Sequence, residues 1–294
     1  MVSRRAFMGA TLAAAAGGSG WIDAHSHVWT PDTDRYPLAP GYDARKRTPL
    51  SFTPEELLAE ARPCGVERVV LIQMSWYGFD NRYMLDAMAR YPGVFSGVAT
   101  VDENDRPAEA MRRLKRRGVR GFRIRPNTPG WLDGAGMAAM WECAAQESLA
   151  ICPLIHPDAL PALGRMCRRF PNTTVVIDHF TRVGADGEIR EADLAALCGL
   201  AVHPRVHVKL SAFYTLGKRT PPYLDLVPMI RRLYEAYGPG RLMWATDCPF
   251  QLLNGNTYRA SVELIRDRLD FITPADRDLL LRGTAARVFF ASAA

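Results

Sequence analysis

Short runs rich in β-branched and apolar residues recur eight times along the chain, and segments of helical periodicity separate them. The runs are WIDAHSH (21–27), RVVLIQM (68–74), VFSGVAT (94–100), VRGFRIR (119–125), LAICPLI (149–155), TTVVIDH (173–179), RVHVKLS (205–211) and RLMWATD (241–247). Runs of this length and apolarity read as strands buried on both faces. Between them lie amphipathic segments such as NRYMLDAMARY (81–91), PAEAMRRLKRR (107–117), GMAAMWECAAQ (136–146), LPALGRMCRRF (160–170) and LVPMIRRLYEAY (226–237). Each tends to stop at Gly or Pro. Parallel strands need such crossovers, so eight strand–helix units predict an α/β fold of the (β/α)8 TIM-barrel type, a single domain over residues 21–294. A doubly wound sheet is the alternative; the count of eight and the lack of a G-x-G-x-x-G turn weigh against it. The longest insertion, residues 30–53, follows the first strand and is expected to lie over the mouth of the barrel.

Composition narrows the function classes. The 294 residues are 48% hydrophobic and 23% charged, enough for one large core. The net charge is +6, but the basic residues are scattered through helical segments, and RRLKRR (112–117) reads as a solvated helix face without interleaved aromatics. That argues against nucleic acid and points to a small anionic molecule as partner. The six cysteines form no C-x-x-C pair, which argues against a zinc knuckle or a disulfide framework. Residues 1–20 contain SRRAFM followed by an alanine-rich run, with a small-residue cleavage site at Ala14–Ala16. They read as a twin-arginine export signal, giving a periplasmic or exported protein. A disordered start to a cytoplasmic protein is the alternative. No segment is long and apolar enough to span a membrane.

Polar residues gather where strands end. In an extended chain, residues i and i+2 share a side, so His25 and His27 project together from the end of the first strand. His156 follows the fifth strand, His179 closes the sixth and Asp247 closes the eighth. On a closed barrel these ends share one rim, where active sites form. Imidazoles facing one carboxylate suit a catalytic divalent-metal site with an open position for water. The same set works without a metal, with Asp247 as general base and the imidazoles as hydrogen-bond donors. Arg123 and Arg125 share a face at the end of the fourth strand and suit bidentate capture of carboxylates, whereas Arg120 lies near the opposite rim. Tyr42 and Tyr77, in rim loops, are candidate donors to substrate. Lys209 faces the barrel interior and needs a partner there, while His203 and His207 lie at the wrong end of their strand and read as structural.

DAHSHVW, YPLAP, GVERVVLIQ, GFDNRYMLDAM, GVRGFRIR, VIDHFTRV and LMWATDCPF, in this order, resemble the amidohydrolase superfamily, within it the amidohydrolase-related lactonase branch that includes 2-pyrone-4,6-dicarboxylate lactonase. The resemblance covers nearly the whole chain from residue 21. It implies a hydrolase that opens a cyclic ester of a carboxylated compound. His25, His27 and His179 would surround the lactone carbonyl, Asp247 would activate water, and Arg123, Arg125 and Arg182 would hold substrate carboxylates. The branch contains metal-dependent and metal-independent lactonases. No lysine ends the fourth strand, where binuclear members carry a carboxylated one, so a single zinc or other divalent ion on His25, His27, His156 and Asp247 is the expected metal site. Two departures fall on the expected pocket: Cys248 and Phe250 in TDCPF replace an aromatic residue and an imidazole, and Pro126 follows Arg125. A metal-dependent decarboxylase of the same superfamily and a non-catalytic aromatic-acid binding protein are the alternatives.

Overall fold

The computed structural model of the chain describes residues 20–125 and 130–291; Pro126 and all of the expected export segment except Gly20 lie outside the described residues. Its strands fall where the apolar runs place them: β1 (Trp21–Ser26), β2 (Val66–Ile72), β3 (Phe95–Ala99), β4 (Val119–Ile124), β5 (Ala150–Pro153), β6 (Thr174–Ile177), β7 (Val206–Leu210) and β8 (Leu242–Trp244). They form one parallel sheet in sequence order. The helices are α1 (Pro54–Ala61), α2 (Arg82–Arg90), α3 (Pro107–Lys115), α4 (Ala135–Glu147), α5 (Leu160–Arg169), α6 (Glu191–Gly199), α7 (Val227–Tyr237), α8 (Tyr258–Asp267) and the short α9 (Pro274–Asp278). The chain is therefore a (β/α)8 barrel.

Local chemistry sets several of the boundaries. Thr53 and Glu56 form a reciprocal capping box at the start of α1, with Pro54 in its first turn, where a missing N–H costs nothing. The turn after α1 reaches β2 through Gly65 at φ +84°, a conformation that a side chain would strain.

Two apolar layers hold the barrel. Strand residues facing outward pack under the helices: Leu71, Phe122 and Trp244 share one apolar cluster with the helix residues Leu57, Trp141 and Ile265. Inside, Ile22, Ala24, Val70, Val98, Val176 and Met243 fill the cylinder, and Phe289 from the C-terminal segment packs against them. Arg120 and Phe289 line a common cleft near the strand starts, and the Arg68 guanidinium lies over the Phe290 ring. That end is thus plugged, and the opposite end is left for chemistry. All six cysteines are free, and all but Cys198 are buried.

The β1–β8 seam has no continuous ladder of its own, only a bridge between Ser26 and Cys248. Polar contacts close it instead. The buried Asp23 carboxylate accepts from the backbone N–H of His25 and of Thr246, each at 3.0 Å. It also accepts from the hydroxyls of Ser26, Thr246 and Tyr258. Just beyond, the Asp247 N–H donates to the His25 carbonyl and the His27 N–H to the Cys248 carbonyl, both at 2.8 Å. The first and last strands are thereby locked in a register that sets the two imidazoles beside Asp247.

Candidate active site

His25 is fully buried and held at both ring nitrogens, with Lys209 Nζ also 3.2 Å from its Nδ1. Nδ1 lies 3.2 Å from Asp178 Oδ1, while Nε2 receives the Arg123 Nη2 donor at 3.1 Å. A proton on Nδ1 and a lone pair on Nε2 satisfy both contacts. Asp178 is also fully buried and bound by Lys209 Nζ and Arg123 Nη2, each at 3.0 Å. Burial raises the Asp178 carboxyl, but Lys209, His25 and Arg123 outweigh it and hold it well below the usual carboxylate range. Burial and the Lys209 ammonium keep His25 neutral.

His27 Nδ1 lies 2.9 Å from the Ile72 carbonyl, and Nε2 lies 3.1 Å from Asp247 Oδ1. The other Asp247 oxygen accepts from the Tyr214 hydroxyl at 2.7 Å. Burial pushes Asp247 up, yet the neighbouring His179, His27 and His25 and the groups around them outweigh it, so the carboxyl stays far below its ordinary range and is ionised at neutral pH. Tyr214 moves the opposite way, raised by burial and by the Asp247 charge, and stays protonated as a donor.

His179 opens a run of four left-handed residues, with φ of 52°, 54°, 53° and 60° from His179 to Arg182. No glycine stands in it, at a cost of roughly 1–2 kcal/mol per residue. Strain of this kind concentrates at functional sites. The run brings both His179 and Arg182 to the cavity wall. Burial lowers His179 to about 4, against the pull of Asp247 and Asp178, so its ring is neutral. Its Nδ1 pairs with Ser211 Oγ at 2.8 Å, and its Nε2 lies 3.8 Å from Asp247 Oδ2.

His25, His27, His179 and Asp247 therefore meet at one opening. His27, His179 and Asp247 line a cavity of about 570 Å³ together with Arg123, Arg125, Arg182 and Tyr42. Two expected site residues are not brought in. His156 is exposed and pairs with Arg182 Nη1 at 3.2 Å, because β5 ends at Pro153 and the chain has left the strand direction before residue 156. Tyr77 is buried, and its hydroxyl accepts the Thr30 N–H at 3.1 Å, which makes it a packing residue behind the wall. Arg123 is turned inward: its Nη2 binds Asp178 and His25, and its buried Nε has no protein partner. Asp178, Ser211 and Tyr214 join the site without having been singled out in the sequence.

Ligand atoms of His25, His179 and Asp247 lie within 4.8 Å of one another. With Nδ1–H of His27 donating to Ile72, its Nε2 lone pair faces an Asp247 oxygen at 3.1 Å, a repulsive meeting that a proton or a cation relieves. The donor set fits a divalent ion, with His156 excluded from it.

A family model described as amidohydrolase matches residues 22–291. The chain is 32% identical over 279 residues to an L-fucono-1,5-lactonase of Burkholderia ambifaria, covering 91% of this chain and 94% of that one. It is also 32% identical to a 2-pyrone-4,6-dicarboxylate hydrolase of Comamonas testosteroni, over 79% of this chain and 77% of that protein. Among solved structures, a putative 2-pyrone-4,6-dicarboxylic acid hydrolase from Pseudomonas putida superposes with a TM-score of 0.78 at 28% identity, over 92% of this chain and 97% of that one.

Proposed function

The chain belongs to the amidohydrolase family, and from that membership we propose that it hydrolyses the cyclic ester of a carboxylated small molecule. The observation that carries the reading is the setting of Asp247: an ionised carboxylate held by the Tyr214 hydroxyl and surrounded by the imidazoles of His25, His27 and His179, in a cavity lined by guanidinium groups.

Asp247 takes a proton from water, and the resulting hydroxide oxygen forms a bond to the lactone carbonyl carbon. Negative charge develops on the carbonyl oxygen. In the metal-free site, a His179 that accepts from the Ser211 hydroxyl at Nδ1 carries its proton on Nε2 and offers it to that oxygen. When the intermediate collapses, the ring C–O bond breaks and the leaving alkoxide takes the proton from Asp247, giving a hydroxy acid. Arg125 and Arg182 hold the anionic end of the substrate at the rim. His25, His179 and Asp247 would hold a divalent ion, zinc by their donor chemistry, which when bound supplies Lewis-acid polarisation of a carbonyl. The Arg4–Arg5 pair and the alanine-rich run after it support export by the twin-arginine route.

The test is proton release from a panel of carboxylated lactones, with chelator and with added zinc, for the wild type and Asp247→Asn. Turnover is expected for at least one lactone, with kcat lowered by about a thousandfold in the variant at an unchanged fold. Equal turnover by Asp247→Asn would sink the assignment.

A further inference from the structure

Because the strands run round the barrel in sequence order, the mouth divides into two contiguous halves. Strands β6, β7, β8 and β1 carry His179, Tyr214, Asp247 and His27 at or just past their ends. The half above β2 to β5 is different in kind. Met74 follows β2, Val101 follows β3, Ile124 ends β4 and Leu154 follows β5, and all four line the same cavity. Met137 and Met140 of α4 complete this wall, and the rim beside it carries Phe79, an aromatic ring 57% exposed. Most polar groups on this side are engaged or peripheral, the Thr100 hydroxyl donating to the Gly78 carbonyl at 2.7 Å, while Ser75 also lines the cavity. The Gln73 amide donates to the Asp80 carbonyl at 2.7 Å, Arg125 stands exposed, and Glu103 is half-buried and engaged within the protein. Arg123, also from β4, reaches across to Asp178 and His25.

A compact lactone with one or two carboxylates has roughly a dozen non-hydrogen atoms, whereas cavities of this size suit drug-sized ligands. The 570 Å³ space thus extends well beyond the catalytic half, and its unfilled part is apolar, with flexible thioethers that adapt to varied shapes.

We propose that the β2–β5 half of the cavity is an acyl- or aryl-binding bay, and that the substrate is an amphiphilic lactone bearing an apolar substituent of several carbons. The bay rests on the lactonase reading for its catalytic half, and its test separates the two. The probes are carboxylated δ-lactones with alkyl substituents from methyl to heptyl, measured for turnover with the wild type and for binding by calorimetry with Asp247→Asn. Burying each methylene should raise kcat/KM, and tighten binding, by about two- to fourfold over the first several carbons before levelling off. Phe79→Ser, at an exposed position, and Met140→Gln, at a buried one, should each lower the heptyl-to-methyl ratio several-fold. If the lactones are hydrolysed at rates indifferent to chain length, the bay falls and the lactonase reading stands. If binding tightens with chain length but nothing is hydrolysed, the bay stands and the lactonase reading falls. Binding and turnover that ignore chain length, or a heptyl-to-methyl ratio unmoved by both substitutions, overturn the proposal.

Discussion

The Tyr214 hydroxyl donates to one oxygen of Asp247 at 2.7 Å while His27 Nε2 stands 3.1 Å from the other, so Tyr214 is the group that grips the carboxylate by a hydrogen bond. A hydrogen bond to the ionised form stabilises it and lowers its pKa. Tyr214→Phe removes that grip without changing the ring volume. The expected result is a fall in kcat of about tenfold, from lost aim, with KM little changed. Steady-state kinetics at neutral pH check this; an unchanged kcat would show that Tyr214 only packs.

Asp178 answers to three groups at once: Lys209, Arg123 and the Nδ1–H of His25. All but Arg123 are fully buried, and Arg123 nearly so. Asp178→Asn would leave two cations with no countercharge in a low-dielectric interior, a loss of about 3–5 kcal/mol by the behaviour of broken buried pairs. Adding Lys209→Met to that variant removes one of the orphaned charges. The double variant is therefore expected to be more stable in urea than the sum of the single losses, with a coupling of about 1–3 kcal/mol. Strict additivity would mean that Lys209 and Asp178 do not interact.

The metal reading separates His156 from the other imidazoles. His156→Ala should retain the zinc content of the wild type after chelation and reconstitution, because the residue is exposed and paired with Arg182. His25→Ala and His179→Ala should each lose it by a factor of about ten or more. Elemental analysis of the dialysed proteins decides this, and zinc lost from His156→Ala would restore that residue to the ligand set.

These contrasts show what a strand pattern can and cannot place. His25, His27, His179 and Asp247 were legible because each ends an apolar run, and parallel barrel strands bring such ends to one rim. Asp178 was hidden by the same rule. Neighbours on a strand face opposite ways, so a residue beside His179 should have pointed outward. Strand β6 instead stops at Ile177 and the chain enters the left-handed run at His179, which lets both side chains reach His25 and Asp247. Tyr214 left no trace of its role, because it lies in a loop whose path turns on Ala212 at φ +58°. His156 misled for the opposite reason: it stands past the point where β5 ends. Tyr77 sits in a short turn that folds its ring into the core, where burial raises its pKa. Rim positions fixed by strands are readable; those fixed by loop geometry are not.

A final expectation concerns the folded protein in acid, away from the site. His207 lies near the start of β7, 9% exposed, with Nδ1 3.1 Å from the Arg205 carbonyl. Burial lowers its pKa to about 4, with Arg287 and Arg241 adding to the shift against the Arg205 hydrogen bond. In the unfolded chain the same ring takes up its proton near its ordinary 6.5. Between these values the unfolded state binds more protons, so stability falls as pH drops from about 6.5 towards 4 and is fully present above that window. For one such group the total is on the order of 3 kcal/mol. His179, also lowered to about 4, acts with the same sign. His207→Asn is expected to flatten the decline of unfolding free energy between pH 6.5 and 4.5 by close to one proton's worth of slope, read from urea midpoints at a series of pH values. A slope identical to that of the wild type would mean that His207 is protonated in the folded barrel well above pH 4, with its charge solvated.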